Sequence, residues 1–235
     1  MQKILDQKLT EYYLEKYKLF SWHVGNITDI VELHYFKSGE MVFEIGEDAK
    51  YLYVLVNGRV KVTYPFENGK SMLLKFYNPI ILLGDMELYQ SHPIMCSVEV
   101  VEDSHLIAVP DVFVQTHWMN NTQFLHGLIE SLSEKLSSTI NNSSYNFVYP
   151  LGNRLASYIV DHLETAETTE EGLYVELKSS FEEISQFLGT TYRHLHRTIT
   201  EFENKGLIAV DTRRLKIIDE TTLRDMAVNK YMKLL

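Results

Sequence analysis

Arg193, Arg197, Thr200 and Asn204 have the types and spacing to read the edge of a nucleic-acid base, recurring at steps of four, three and four residues. On a helix turning about 100° per residue they share one face, while Leu195, Ile199 and Phe202 gather on the other. Arginine can give guanine two parallel hydrogen bonds, and hydroxyl or amide groups can meet bases or phosphates, which suits a helix in a DNA major groove. An ordinary solvated face has the same polarity, so the neighbouring elements must decide.

Those neighbours are informative. Ser180 with Glu183 three residues on is a capping box, and Ile184, Phe187 and Leu188 follow as an apolar face. Gly189 is placed to end that helix in a left-handed conformation, and Thr190 or Thr191 to start the next. Two short helices about a tight glycine turn make a helix-turn-helix. Leu207 to Val210 and Leu215 to Ile218 then read as two strands around Asp211-Thr212-Arg213-Arg214, a wing whose tip can grip phosphates. Between Gly189 and Ile218, six basic residues stand against three acidic ones, in a chain whose net charge is −10. A winged fold serving only protein contacts is the competing reading.

The rest of the chain must position this segment. From Leu33 to Pro110, runs rich in Val, Ile, Leu, Phe and Tyr alternate with Gly39, Gly46, Gly58, Gly69 and Gly84, the pattern of an all-β sandwich or barrel. Asn57-Gly58 predicts a hairpin between Tyr51–Val56 and Arg59–Val62, and Glu67-Asn68-Gly69-Lys70 a second one. Phe124, Leu128, Leu132, Leu136 and Ile140 then recur every four residues, widened by Leu125 and Ile129, predicting an amphipathic helix with two surfaces to satisfy. Lys135 and Thr139 interrupt a strict heptad, and Asn141-Asn142-Ser143-Ser144 reads as the polar end of that helix.

Composition narrows the class. The 235 residues are 45% hydrophobic with a single cysteine, enough for one or two packed domains and too few cysteines for an internal disulfide or a four-cysteine metal site. No run reaches the roughly 20 apolar residues of a membrane span, and the charges of Lys3 and Asp6 interrupt any secretory leader; a cytoplasmic protein without membrane contact is expected. His34, His92 and His105 are scattered through the strand region, and His194 and His196 lie about 200° apart on their helix, so no metal set is expected. Phosphate-loop, dinucleotide and nucleophile-elbow motifs are lacking, which argues against an enzyme. The alternative is a cupin-like metal-dependent enzyme with an appended winged-helix interaction module.

The sequence resembles the Crp/Fnr superfamily of bacterial transcription regulators, most nearly its YeiL-type members. Lys37-Ser38-Gly39-Glu40, Ile45-Gly46-Glu47, Tyr51 to Arg59 and Gly84-Asp85-Met86-Glu87-Leu88 match its cyclic-nucleotide-binding barrel; Tyr149 to Ala156 and Leu188 to Leu195 match its DNA half. The resemblance implies an α+β chain: an N-terminal cyclic-nucleotide-binding-like β jelly-roll barrel (residues 1–120), a long dimerisation helix (121–148) and a C-terminal winged helix-turn-helix (149–235). It further implies a homodimer paired through Phe124, Leu125, Leu128, Leu132, Leu136 and Ile140, acting on double-stranded DNA, with RNA polymerase as a further partner. Tyr192, Arg193 and Arg197 fall at base-reading places, and Thr191, His194, Thr200, Asn204, Arg213 and Arg214 complete the expected DNA-contacting set. Many members carry glutamate where Arg193 stands, so a different half-site follows.

The effector pocket departs further. Its residues by position are Gly84, Asp85, Met86, Glu87, Ile94, Met95, Cys96 and Ser97, with Ile94 and Met95 where nucleotide binders place an arginine and a hydroxyl residue. A cyclic phosphate facing them is left without a partner, at a cost of several kcal/mol. Cyclic AMP and GMP are therefore not expected to bind, and neither an iron–sulfur cluster nor haem is expected, so no cofactor is assigned and the effector stays unspecified.

Overall fold

The computed structural model describes residues 1–66, 71–90, 92–170, 172–177, 179–211 and 214–228, with backbone alone at 89–90 and 141–144. Two compact units divide it, Met1–Ser137 and Ser138–Leu235.

The first unit runs β1 (Gln2–Ile4), α1 (Gln7–Lys16), β2 (Glu32–Phe36), β3 (Met41–Phe43), β4 (Tyr51–Pro65), β5 (Ser71–Tyr77), β6 (Ile81–Leu83), α2 (Asp85–Gln90), β7 (Ser97–Pro110) and α3 (Asp111–Phe113), which widens into a π turn at Val114–Trp118. Helix α4 (Thr122–Val148) follows and crosses the boundary between units. The antiparallel sheet has the order β1-β2-β7-β4-β5, with β3 on β7 and β6 on β4. Side chains alternate across a strand, so β4 serves two cores. Tyr53, Leu55 and Val60 join Phe36, Phe43 and Leu106 in one, while Leu52, Val54 and Val56 pack with Tyr13, Trp118, Phe124 and Leu128 in the other.

Two expectations are corrected here. Asn57-Gly58 makes no hairpin: β4 runs straight through it and pairs with β7 from Tyr51↔Pro110 to Thr63↔Ser97, its register shifting between Leu55 and Val60. Gly58 has φ +92°, and a Cβ there would lie 2.1 Å from Ser104 Oγ and 2.6 Å from the Asp103 carbonyl. Close approach of β7 demands glycine, and the bulges bend the sheet rather than reverse the chain. Helix α4 likewise continues through 141–144 to Val148. Asn and Ser are only mildly unfavourable inside a helix, whereas Pro150 removes a donor and disfavours helix before it. The second hairpin tip, 67–70, lies outside the described residues; β4 and β5 do pair up to Pro65↔Ser71.

The second unit holds α5 (Leu151–His162), β8 (Glu167–Thr169), β9 (Gly172–Glu176), α6 (Phe181–Phe187), α7 (Tyr192–Asn204), β10 (Ile208–Asp211), β11 (Arg214–Ile217) and α8 (Glu220–Met226). Its sheet has the order β10-β11-β9-β8. Leu155, Ile159, Val175, Ile184, Leu195, Ile199, Phe202, Leu215 and Leu223 form one core. Among the described residues, no helix is long and apolar enough to cross a membrane.

Candidate nucleic-acid interface and sensor cassette

The helix-turn-helix is assembled by local signals. Ser180 accepts from Glu183 N–H while Glu183 reaches back to Ser180 N–H, closing the capping box of α6. Gly189 turns the chain at φ +60°, and the Thr191 hydroxyl accepts from His194 N–H to cap α7. Leu195, Ile199 and Phe202 bury themselves in the core, which turns Tyr192, Arg193, His194, Arg197, Thr200 and Asn204 to solvent together with Thr191. Thr198 is buried too, its hydroxyl donating to the His194 carbonyl. Arg197 meets Glu201 only at 3.9 Å, an exposed pair that costs little to open. Arg214 is exposed at the start of β11, opposite Asp211; Arg213 lies outside the described residues.

Helix α4 has two distinct faces. Phe124 and Leu128 are buried in the first unit's own core, so their assignment to pairing between subunits is corrected: each contributes about 1.5–3 kcal/mol within the protomer. Ile129, Leu136, Ile140 and Phe147 are exposed, and at about 100° per residue they fall within an arc of about 40°. Leu125 and Leu132 flank that arc, half-buried.

The cassette of the first unit is spoken for by its own chain. Asp85 is 2% exposed. Lys135 Nζ of α4 donates to its two carboxylate oxygens at 2.6 and 2.8 Å and to the Leu82 carbonyl at 2.7 Å; the Ser131 hydroxyl adds a bond at 3.0 Å. Ile94, also 2% exposed, packs into the inner core. A Cβ on Gly84 would meet the Phe43 ring at 3.0 Å. Glu87 accepts from Met95 N–H and Ser97 from Ile45 N–H, while the Met86 and Met95 side chains are exposed. Burial pushes the Cys96 thiol above its usual range and Glu87 adds to this, which disfavours the reactive thiolate. Burial also pushes the Tyr77 phenol up to about 12, with Asp85 and Cys96 adding to it.

Residues 33–117 match the cyclic nucleotide-binding domain, and residues 153–226 match the Crp-like helix-turn-helix domain. The chain belongs to the Crp/Fnr superfamily. It is a DNA-binding transcription regulator of the Crp/Fnr type. Among its Crp/Fnr relatives, the regulatory protein YeiL of Escherichia coli O157:H7 is 26% identical over 206 residues, covering 86% of this chain and 90% of that one. A CRP-like cAMP-activated global transcriptional regulator of Mycobacterium tuberculosis is 22% identical, covering 80% and 84%. In fold, the chain is similar to a CRP-family transcriptional regulator from Thermus thermophilus, with a TM-score of 0.68 at 20% identity over 83% of this chain and 96% of that one.

Sequence reasoning about this Crp/Fnr chain missed three things. Lys135, read as an interruption of a seam, lies on the inner face of α4 and partners Asp85, fifty residues away. Phe147, past the polar stretch 141–144, extends the exposed arc and is 93% exposed. Asn146 reaches the turn of the DNA-reading motif. Charge and period alone carry no sign of which face a residue on a two-faced helix will choose.

Proposed function

We propose that the chain works as a homodimer, paired through the Ile129–Leu136–Ile140–Phe147 face of α4, that reads a two-fold-related operator with its two α7 helices and takes its signal from something other than a cyclic nucleotide. The observation that carries this is the division of α4. One face is consumed inside the protomer, while four large apolar side chains line the other in a single arc, which a second helix can cover. Paired readers about 34 Å apart would meet successive major grooves. The work belongs to the cytoplasm, with RNA polymerase as the natural further partner.

Arg197 tests the reading role of α7. Arg197→Ala should weaken operator binding by about 1–3 kcal/mol and relax the preference at one base pair, while random-sequence DNA loses far less. Fluorescence anisotropy on a selected operator and on scrambled DNA separates the two. Equal losses on both would reduce Arg197 to a phosphate contact.

The cassette supports the second half of the proposal. A nucleotide entering there would have to displace Lys135 and Ser131 from Asp85 and set a phosphate against Ile94, which offers it no hydrogen bond. Titration calorimetry with cyclic AMP and cyclic GMP should register no binding; micromolar affinity for either would overturn this part. No catalytic step is assigned. In support, His34 is held between Tyr53 and Glu32, and His105 sits by Tyr13, so these two do not converge on one point as metal ligands must.

A further inference from the structure

The end of α6 shows an unusual source for its last hydrogen bonds. A helix leaves its final carbonyls without partners in the helix itself. Here the Ile184 carbonyl accepts from Leu188 N–H, that of Ser185 from Thr190 N–H and that of Gln186 from Gly189 N–H, all within the turn. The next two are closed from outside. Asn146 Nδ2, in the last turn of α4, donates to the Phe187 carbonyl at 3.2 Å, and Arg154 of α5 donates through Nη1 to the Leu188 carbonyl. The same Nη1 donates to Asn146 Oδ1 at 3.3 Å, so the two side chains brace each other. Arg154 is only 8% exposed, and carbonyl oxygens at the negative end of a helix are suited to hold its charge.

Gly189 completes the joint. A Cβ there would sit 3.2 Å from Asn146 Cγ and Nδ2, so the turn lies flat against this one amide. The last turn of α4 is also tied to α5 through the Tyr145 hydroxyl, which donates to Ser157. The turn between α6 and α7 thus hangs from the helix that carries the exposed pairing arc.

We propose that Asn146 is a positioning residue for operator recognition: its amide fastens the end of α4 to the turn that precedes α7, so that the pairing helix and the reading helix keep a fixed angle. The inference rests on the dimer reading above. It concerns how far apart and at what azimuth two readers are held, and Asn146 itself touches no base. One extra base pair between half-sites rotates the second by about 35° around the DNA axis, which a stiff joint should refuse and a loose one accept.

The experiment uses the full chain and three duplexes: the palindromic operator selected from random DNA by the wild-type protein, the same operator with one base pair added at its centre, and a single half-site. Wild type should prefer the palindrome over the lengthened duplex by roughly tenfold or more, and Asn146→Ala should reduce that preference to about threefold or less, with half-site affinity within about twofold of wild type. A merely structural role would lower half-site and palindrome binding together, and that result, or an Asn146→Ala protein with wild-type spacing preference, overturns the proposal. If Asn146→Ala does not fold, Asn146→Asp, which keeps the acceptor for Arg154 but loses the donor to Phe187, is judged by the same criteria. Wild-type protein that holds the palindrome no tighter than the half-site overturns the dimer reading and this inference with it, and does so before any variant is made.

Discussion

Lys135→Met should destabilise the N-terminal unit by about 3–5 kcal/mol. The methionine keeps most of the aliphatic stem and removes the ammonium that now meets both Asp85 oxygens. Asp85 would be left as a buried carboxylate with the Ser131 hydroxyl as its remaining named donor. Its desolvation is then uncompensated, and that penalty, rather than the lost attraction, dominates. Replacing both partners removes the penalty: Asp85→Leu with Lys135→Met should recover most of the loss, since a buried pair is often no better than apolar groups of equal volume. Trp22 and Trp118 are the chain's two tryptophans and both lie in this unit, so urea unfolding followed by tryptophan fluorescence reports on it selectively. A loss below about 1 kcal/mol for the single variant would mean the ion pair is solvated and weak in solution.

The second large effect concerns assembly. If α4 pairs two subunits as proposed, Ile129→Asp combined with Leu136→Asp should turn that dimer into monomers at micromolar concentration and cost roughly 100-fold or more in operator affinity, because the second half-site contact is no longer intramolecular. Both residues are exposed, so little of the protomer's own core is disturbed. Two carboxylates per helix, facing their counterparts across a seam, would be desolvated and mutually repelled. Sedimentation equilibrium gives the mass directly, and a double variant that remains dimeric would falsify the assignment of this face. The companion change Leu128→Asp should instead unfold the N-terminal unit, since Leu128 belongs to its core.

These contrasts show what the sequence could and could not disclose. The helix-turn-helix was legible because every signal in it is local: a capping box spans three residues, a glycine ends a helix at its own position, and the α7 faces follow from one period. The two strands of the wing were legible for the same reason. Asn57-Gly58 misled because its conformation is decided by Ser104 and Asp103 on β7, over forty residues away, and no local rule anticipates that contact. The short strands β8 and β1 depend on the neighbours they pair with; nothing in Glu167–Thr169 or Gln2–Ile4 alone requires extension. The α4 stripe was recognised as having two surfaces, yet period cannot say which surface meets which partner. That needed the positions of Asp85 and of the sheet.

Helix α4 is, mechanically, a shaft with a cam on one side and a coupling on the other. Lys135 lies about 120° around the axis from the centre of the exposed arc, and a helix holds that phase rigidly. A seam only about 40° wide is sensitive to any rotation of the helix that carries it. A slip of one residue turns the arc by about 100°, well outside its own width, so intermediate settings make poor seams.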